Sequence, residues 1–194
     1  MSKAVMISIR PRWCELIANR EKTMEVRKTR PTLMQMPFKV YVYCTMPRFE
    51  HEDFFALVGK PCCNGGGKVI GEFVCDRIDT IQKRGIPENF DYCYLSLNEW
   101  GNDDIETEIR DIARSQVSKK ELNEYGKNVS VLYAWHISAL KIYDKPKEIS
   151  EFKKHNRECY FNNLGMATPK CSECTKCNLM RPPQSYCFVE ALQT

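Results

Sequence analysis

The chain has 194 residues, 43% hydrophobic and 28% charged, with a formal net charge of +4. That length suits one solid core with a small appendage, and the composition is that of an ordinary globular protein. No apolar run is long enough to span a bilayer, and the opening "MSKAVMISIRPRW" lacks the apolar run of a signal peptide, so a soluble, cytoplasmic chain without a membrane partner is expected.

Charge is unevenly spread. Residues 1–48 hold ten Lys/Arg against three Asp/Glu, residues 49–125 nine against sixteen, and residues 126–194 ten against six. A basic first quarter beside an acidic middle reads either as a localised positive face or as two segments that neutralise each other. Eleven cysteines in an intracellular chain point to reduced thiols or metal ligands rather than a disulfide framework.

In chain order, "AVMISIR" (4–10) alternates Val5, Ile7 and Ile9 on one face and predicts a strand. Pro11 suits the first helical position, and Trp13, Leu16 and Ile17 follow at helical spacing, with Asn19 as a left-handed cap. "TMEVRK" (23–28) returns to alternation of period two and stops at Pro31; "FKVYVYCT" (38–45) is rich in β-branched and aromatic residues and predicts another strand. Residues 46–67 read as a long loop with helical character around "HEDFFALVG". The glycines of "CCNGGGK" fit a turn rather than a phosphate-cradling loop, because the P-loop spacing is absent. "KVIGEFVCDRI" (68–78) predicts a strand.

The stretch 79–125 is acidic; within it "DDIETEIRDIARSQV" carries Ile105, Ile109 and Ile112 at helical intervals, and "SKKELNEYG" has a capping box at Ser118 and Glu121 that closes at Gly126. "NVSVLYAWHISALKIY" (128–143) is a long strand signal, interrupted near Ser138. Asp144-Lys145-Pro146 is expected to end it, before a short helix around "ISEFKKH". Strands at both ends with helices between them predict an α+β fold, a small mixed barrel flanked by short helices. Its expected extent is residues 1–150, with a Cys-rich C-terminal extension over 151–194.

The stretch "SIRPRWCELIANREKTMEVRKTRP" resembles the signature of the ASCH domain family. Lys22, Thr23, Glu25 and Arg27 fall on its characteristic strand positions, Arg10-Pro11 lies at the strand–helix junction, and Asn19 or Arg20 replaces the usual glycine. The match extends more weakly through "KVIGEFVCDRI" and "YAWHISALKIYDKP", and the whole chain looks like ASCH-domain proteins of phage and bacterial genomes. The resemblance implies a β-barrel related to the PUA RNA-binding domain. It also implies nucleic-acid chemistry, since ASCH proteins are proposed RNA binders or coactivator modules, some are ribonucleases, and small bacterial members remove the acetyl group of N4-acetylcytidine. In those hydrolases a lysine and a threonine of the motif strand act with a glutamate. Lys22 matches the lysine, and Glu25 stands where they place the threonine.

Read residue by residue, Lys22 is either a base or nucleophile in a partly desolvated cleft or a solvated surface lysine. Glu25 and Arg27 share one strand face and either hold a polar ligand edge or pair with each other. Arg10 and Arg12 flank a helix start that can receive a phosphate, or are simply exposed cations. Trp13, Tyr41 and Tyr43 are candidates for base stacking, though the spacing of Trp13 suits a core position. Trp135 and His136 face opposite sides of one strand, Trp135 as core and His136 undecided. With three histidines and no Ser/His/Asp pattern, a hydrolase triad has no support.

The tail offers another chemistry. Cys171, Cys174 and Cys177 have C-x2-C-x2-C spacing, and Cys187 is a returning fourth thiolate, with Cys159 as a substitute. Four thiolates in a segment poor in apolar mass suit a structural zinc clip; an iron–sulfur cluster or metal-free thiols are the alternatives. Three functional readings follow. The chain binds RNA, a nucleotide or a nucleoside through a basic cleft of Arg10, Arg12, Lys22, Glu25 and Arg27. Alternatively it is a hydrolase with Lys22 and Glu25 catalytic, or a module whose tail docks another protein.

Overall fold

The computed structural model describes residues 2–46, 65–84, 91–95, 113–155 and 177–192, with only the backbone given for Arg84 and 91–95. These residues are mostly strand: β1 (Lys3–Ile9), β2 (Met24–Arg27), β3 (Phe38–Cys44), β4 (Lys68–Cys75), β5 (Ile78–Arg84), β6 (Asp91–Leu95), β7 (Val131–His136), β8 (Ser138–Lys147) and β9 (Tyr186–Glu190). Helix α1 (Pro11–Ala18), helix α2 (Lys119–Tyr125), a 3-10 turn (Ile149–Glu151) and helical backbone at 113–115 accompany them, an α+β content. The strands form a five-stranded sheet, β8-β4-β3-β1-β9, and a four-stranded sheet, β2-β7-β5-β6. The expected closed barrel is therefore not what the described ladders make: both sheets are open, with edges at β8 and β9 in one and β2 and β6 in the other.

The chain divides into two compact units. The first is built from 1–14, 39–73 and 141–194, the second from 15–38 and 74–140. In the first unit β1 and β3 run parallel, with Val5 opposite Val40 and Ile9 opposite Cys44, while β9 runs antiparallel to β1, with Lys3 opposite Glu190. β1 is an interior strand, so Ala4, Val5, Met6 and Ile7 are all buried rather than every second residue. Parallel strands covered on both faces carry continuous apolar runs for this reason. A core of Ala4, Met6, Tyr41, Tyr43, Val69, Phe152, Leu179 and Val189 fills this unit, and Tyr41 meets Phe152 edge to face at 4.9 Å. Residues on both sides of position 150 thus share one core.

β8 continues through Pro146 to Lys147 instead of breaking at 144–146. It lies at a sheet edge, where a proline's missing N–H removes no ladder bond. β4 and β8 approach closely at Gly71: a Cβ there would lie 2.5 Å from the Lys141 carbonyl oxygen and 3.1 Å from Ile142 Cα.

In the second unit β7 pairs with β2 on one side and β5 on the other, both antiparallel. Ile17, Met24, Val26, Phe38, Ile81, Leu122, Leu132, Ala134 and Trp135 are buried here, and Trp135 meets Phe38 edge to face at 5.8 Å. Helix α2 has the capping box read from the sequence: Glu121 N–H donates to Ser118 Oγ, the Glu121 carboxylate accepts from Ser118 N–H, and Gly126 closes the helix. β5 and β6 were not expected. They lie in the acidic stretch ahead of the run read as helical, and that run's isoleucines up to residue 112 lie outside the described residues. So does the helical reading around "HEDFFALVG".

Candidate functional site

The motif strand and the turn before it sit in the second unit. Helix α1 ends with Asn19 N–H donating to Glu15 O and Arg20 N–H to Ile17 O. Arg20, not Asn19, takes the left-handed conformation, with φ of 63°. Arg20 is one of the two positions, with Asn19, at which the resemblance leads one to expect a glycine. The turn returns the chain so that Glu21 and Lys22 N–H both donate to Leu16 O, at 2.9 Å each. Lys22 is thereby held against the end of the helix before β2 starts.

β2 is an edge strand, yet all four of its residues are buried. Lys22 is 1% exposed, Glu25 6% and Arg27 7%. Both faces of the strand are therefore covered, and its charges answer one another. Lys22 Nζ donates to Ser115 O at 2.6 Å and lies 3.4 Å from Glu25 Oε2; Arg27 Nη1 lies 3.5 Å from Glu25 Oε1. Glu25 is the shared carboxylate of a buried cation–anion–cation row. Burial pushes the Lys22 ammonium below its usual range, and the neighbouring Glu25 offsets part of that push. Just beyond the strand the cations become exposed. Lys28 Nζ lies 4.9 Å from the ring centre of Tyr125, and the Arg30 guanidinium 5.5 Å from that of Tyr133. Tyr133 is the register partner of Arg27.

A second polar cluster in the same unit was missed from sequence, where His136 stayed undecided and Thr23 was only a motif letter. His136, 5% exposed, lies 2.6 Å through Nε2 from Asp79 Oδ2. Arg77 Nη2 lies 3.0 Å from the same oxygen and 3.1 Å from Nε2; Arg114 Nη2 lies 3.4 Å from Nδ1 and its Nε donates to Thr23 Oγ1 at 3.2 Å. Against the upward push of burial, the hydrogen bond and charge of His136, followed by those of Arg77, hold Asp79 below its ordinary value. The available signal was charge at a strand junction: "CDRID" places Arg77 in the link between β4 and β5 and Asp79 at the start of β5.

The other expected residues are distributed as follows. Arg10 and Arg12 belong to the first unit, both exposed at the start of α1. Trp13 and Cys14 N–H donate to Arg10 O, and the Arg12 guanidinium lies 4.6 Å from the Trp13 ring centre. Trp13 is half-buried, whereas Cys14 and Ile17 are fully buried, so its expected core position is only partly taken. Tyr41 and Tyr43 are core residues and present no ring for stacking. Cys159, Cys171 and Cys174 lie outside the described residues, as do Cys62 and Cys63. Cys177 is half-buried. Cys187, on β9, packs against the first unit's core, and burial pushes its thiol up to about 11. No described helix is long and apolar enough to cross a membrane.

No family profile matches the sequence, and no curated protein matches it. Solved structures do match. Two single-residue variants of the ASCH protein from Zymomonas mobilis superpose with a TM-score of 0.52 each, at 15% and 14% identity. The first comparison covers 97% of this chain and 91% of that one, the second 96% and 88%. The polypeptide, along nearly its whole length, has the fold of the ASCH proteins.

Proposed function

We propose that this chain is an ASCH-type nucleic-acid-binding protein whose ligand is RNA or a nucleotide, received at the motif strand of the second unit. One observation carries the reading: the row Lys22–Glu25–Arg27 is buried, and it continues directly into exposed Lys28 and Arg30 beside Tyr125 and Tyr133. Burying three charges is costly unless they satisfy one another, and such a row beside an exposed basic and aromatic edge suits a polar ligand with phosphates. Arg27 and Glu25 would meet a base edge, Lys28 and Arg30 the phosphates, and the tyrosines a base face. Taken by itself, the first unit offers the exposed Arg10 and Arg12 at the start of α1 as candidate phosphate contacts of its own.

The test is binding of single-stranded RNA by fluorescence anisotropy at 50 and 200 mM salt (about the range over which phosphate contacts dominate). Affinity is expected to fall steeply with salt, and Arg30→Ala and Lys28→Ala each to weaken it and flatten that dependence. Absent or salt-insensitive binding would overturn the proposal.

A second reading is favoured by the lowered Lys22 amine, 3.4 Å from the Glu25 carboxylate: a hydrolase of a modified nucleoside or of RNA, with Lys22 catalytic and Glu25 its acid/base partner. It expects turnover of N4-acetylcytidine or RNA that Lys22→Ala abolishes without loss of ligand binding; a chain that turns over neither substrate removes it. For the tail we propose the structural zinc clip of Cys171, Cys174 and Cys177, with Cys187 or Cys159 as fourth ligand. Elemental analysis should find about one zinc per chain. Docking of a partner protein on that tail is the structural alternative.

A further inference from the structure

We infer that the base received at the motif strand is uracil, read by the row Lys22–Glu25–Arg27 as donor, acceptor, donor. The inference rests on the nucleic-acid reading above and names the base that the same site takes.

A carboxylate short of donors carries it. Glu25 Oε2 lies 3.4 Å from Lys22 Nζ and Oε1 lies 3.5 Å from Arg27 Nη1, and among the described residues no donor comes closer to either oxygen. Charge-assisted hydrogen bonds run at about 2.7–2.9 Å, so Glu25 has two ion pairs and no short hydrogen bond. A carboxylate offers about four acceptor sites, and with 8% of its side chain exposed Glu25 draws little on bulk water. A buried acceptor served this loosely favours a donor that arrives from outside.

The row is fixed before a ligand arrives. Lys22 is anchored by its N–H to Leu16 O and by Nζ to Ser115 O, while Glu25 and Arg27 stand in the ladder with β7, opposite Trp135 and Tyr133. Each cation faces its own oxygen of Glu25, so the order along the row is ammonium, carboxylate, guanidinium. The two cations can only donate and the ionised carboxylate can only accept.

That order selects a base. Uracil presents its N3–H between two carbonyl oxygens, the complement of all three groups, and the unstacked bases of a single strand expose this edge. Cytosine sets an acceptor, its unprotonated N3, against the carboxylate. Adenine does the same with N1 and has no second acceptor for the other cation. Guanine serves the carboxylate with N1–H and one cation with O6, but turns its amino donors toward the remaining cation. Each wrong base leaves a buried polar group opposed or unpaired, the kind of mismatch that discriminates most strongly.

The experiment uses the full chain and the anisotropy of labelled single-stranded RNA of about ten nucleotides, made wholly of uridine, cytidine or adenosine. Two further strands carry 3-methyluridine, which removes the N3–H, and 5-methyluridine, which adds the same methyl off the reading edge. Uridine and cytidine 5′-monophosphate are titrated by calorimetry, so that strand and free nucleotide are told apart. The uridine strand is expected to bind about tenfold more tightly than the cytidine and adenosine strands; 3-methyluridine loses that advantage and 5-methyluridine keeps it. Glu25→Gln, checked for folding by circular dichroism, is expected to bind uridine and cytidine strands alike, because an amide can turn a donor or an acceptor to the base. If that variant does not fold, the methylated strands decide on the wild-type chain. Strands bound alike by the wild type, a preference for cytidine or adenosine, or 3-methyluridine bound as tightly as uridine overturns the uracil assignment and leaves the nucleic-acid reading standing. Uridine monophosphate bound in preference to cytidine monophosphate, without strand binding, upholds the base and makes the nucleotide the ligand. No binding of strand or nucleotide overturns both.

Discussion

Lys22 holds an ammonium in a place that water scarcely reaches. Its nearest partners are a backbone oxygen of Ser115 and a carboxylate already shared with Arg27. The consequence is a pH effect of definite sign. Because burial holds the folded-state value below 10.5, the unfolded chain binds more protons than the folded one between the two values. Stability from this group therefore rises with pH across that interval, is complete above 10.5, and is lost as pH falls through the folded value. Urea unfolding at stepped pH from neutral upward should show the wild type gaining on Lys22→Met. Parallel curves for the two proteins would mean that Lys22 titrates as it does in water. The carboxylate of Glu25 is the other half of the same question, since removing it takes an anionic partner from two buried cations. Glu25→Gln is expected to cost about 3–5 kcal/mol, measured by the same unfolding, and a loss below ~1 kcal/mol would place the row at an effectively wet surface.

At the scale of elements, close approach decides more than propensity. Gly71 lets β4 lie against β8 where any side chain would strike the Lys141 carbonyl, a backbone atom that cannot swing aside. Gly71→Ala should cost about 1–3 kcal/mol in denaturant unfolding; a neutral result would show that the edge strand yields freely. The same scale explains what could be read beforehand. β1, α1, β2, β3, α2 with its capping box, and the β7–β8 interruption were legible, because each carries its signal locally in period, proline or cap. β5 and β6 were not: β5 is largely polar and is held by β7 on one side and β6 on the other, while β6 pairs with β5, so these strands are set by ladders that no local period announces. Nor could the burial of β2 be seen: alternation reports which residues share a face, but not that a second layer covers the other. Lys22, Glu25 and Arg27 were legible as a group through the family-like motif. The His136 cluster was illegible because its members are brought together by strand register and by turns far apart in the chain.

For the whole molecule, the residues after 150 belong energetically with the beginning of the chain. β9 forms a ladder with β1, while Leu179 and Val189 are buried in the same cluster as Ala4 and Met6. A chain stopped after residue 176 loses that ladder and two buried aliphatic side chains, each worth about 1.5–3 kcal/mol. It should fail to show cooperative unfolding of the first unit by circular dichroism or hydrogen exchange, and an unaltered protection pattern in β1 and β3 would refute this. The pairing of Lys3 with Glu190 has a further consequence, for the order of events during synthesis. The second unit draws only on residues 15–140, so its sheet can assemble while later residues are still being added. The first unit's sheet must wait for Tyr186–Glu190, and until then β1 offers an unpaired edge to any chaperone, or to any other nascent strand, that meets it.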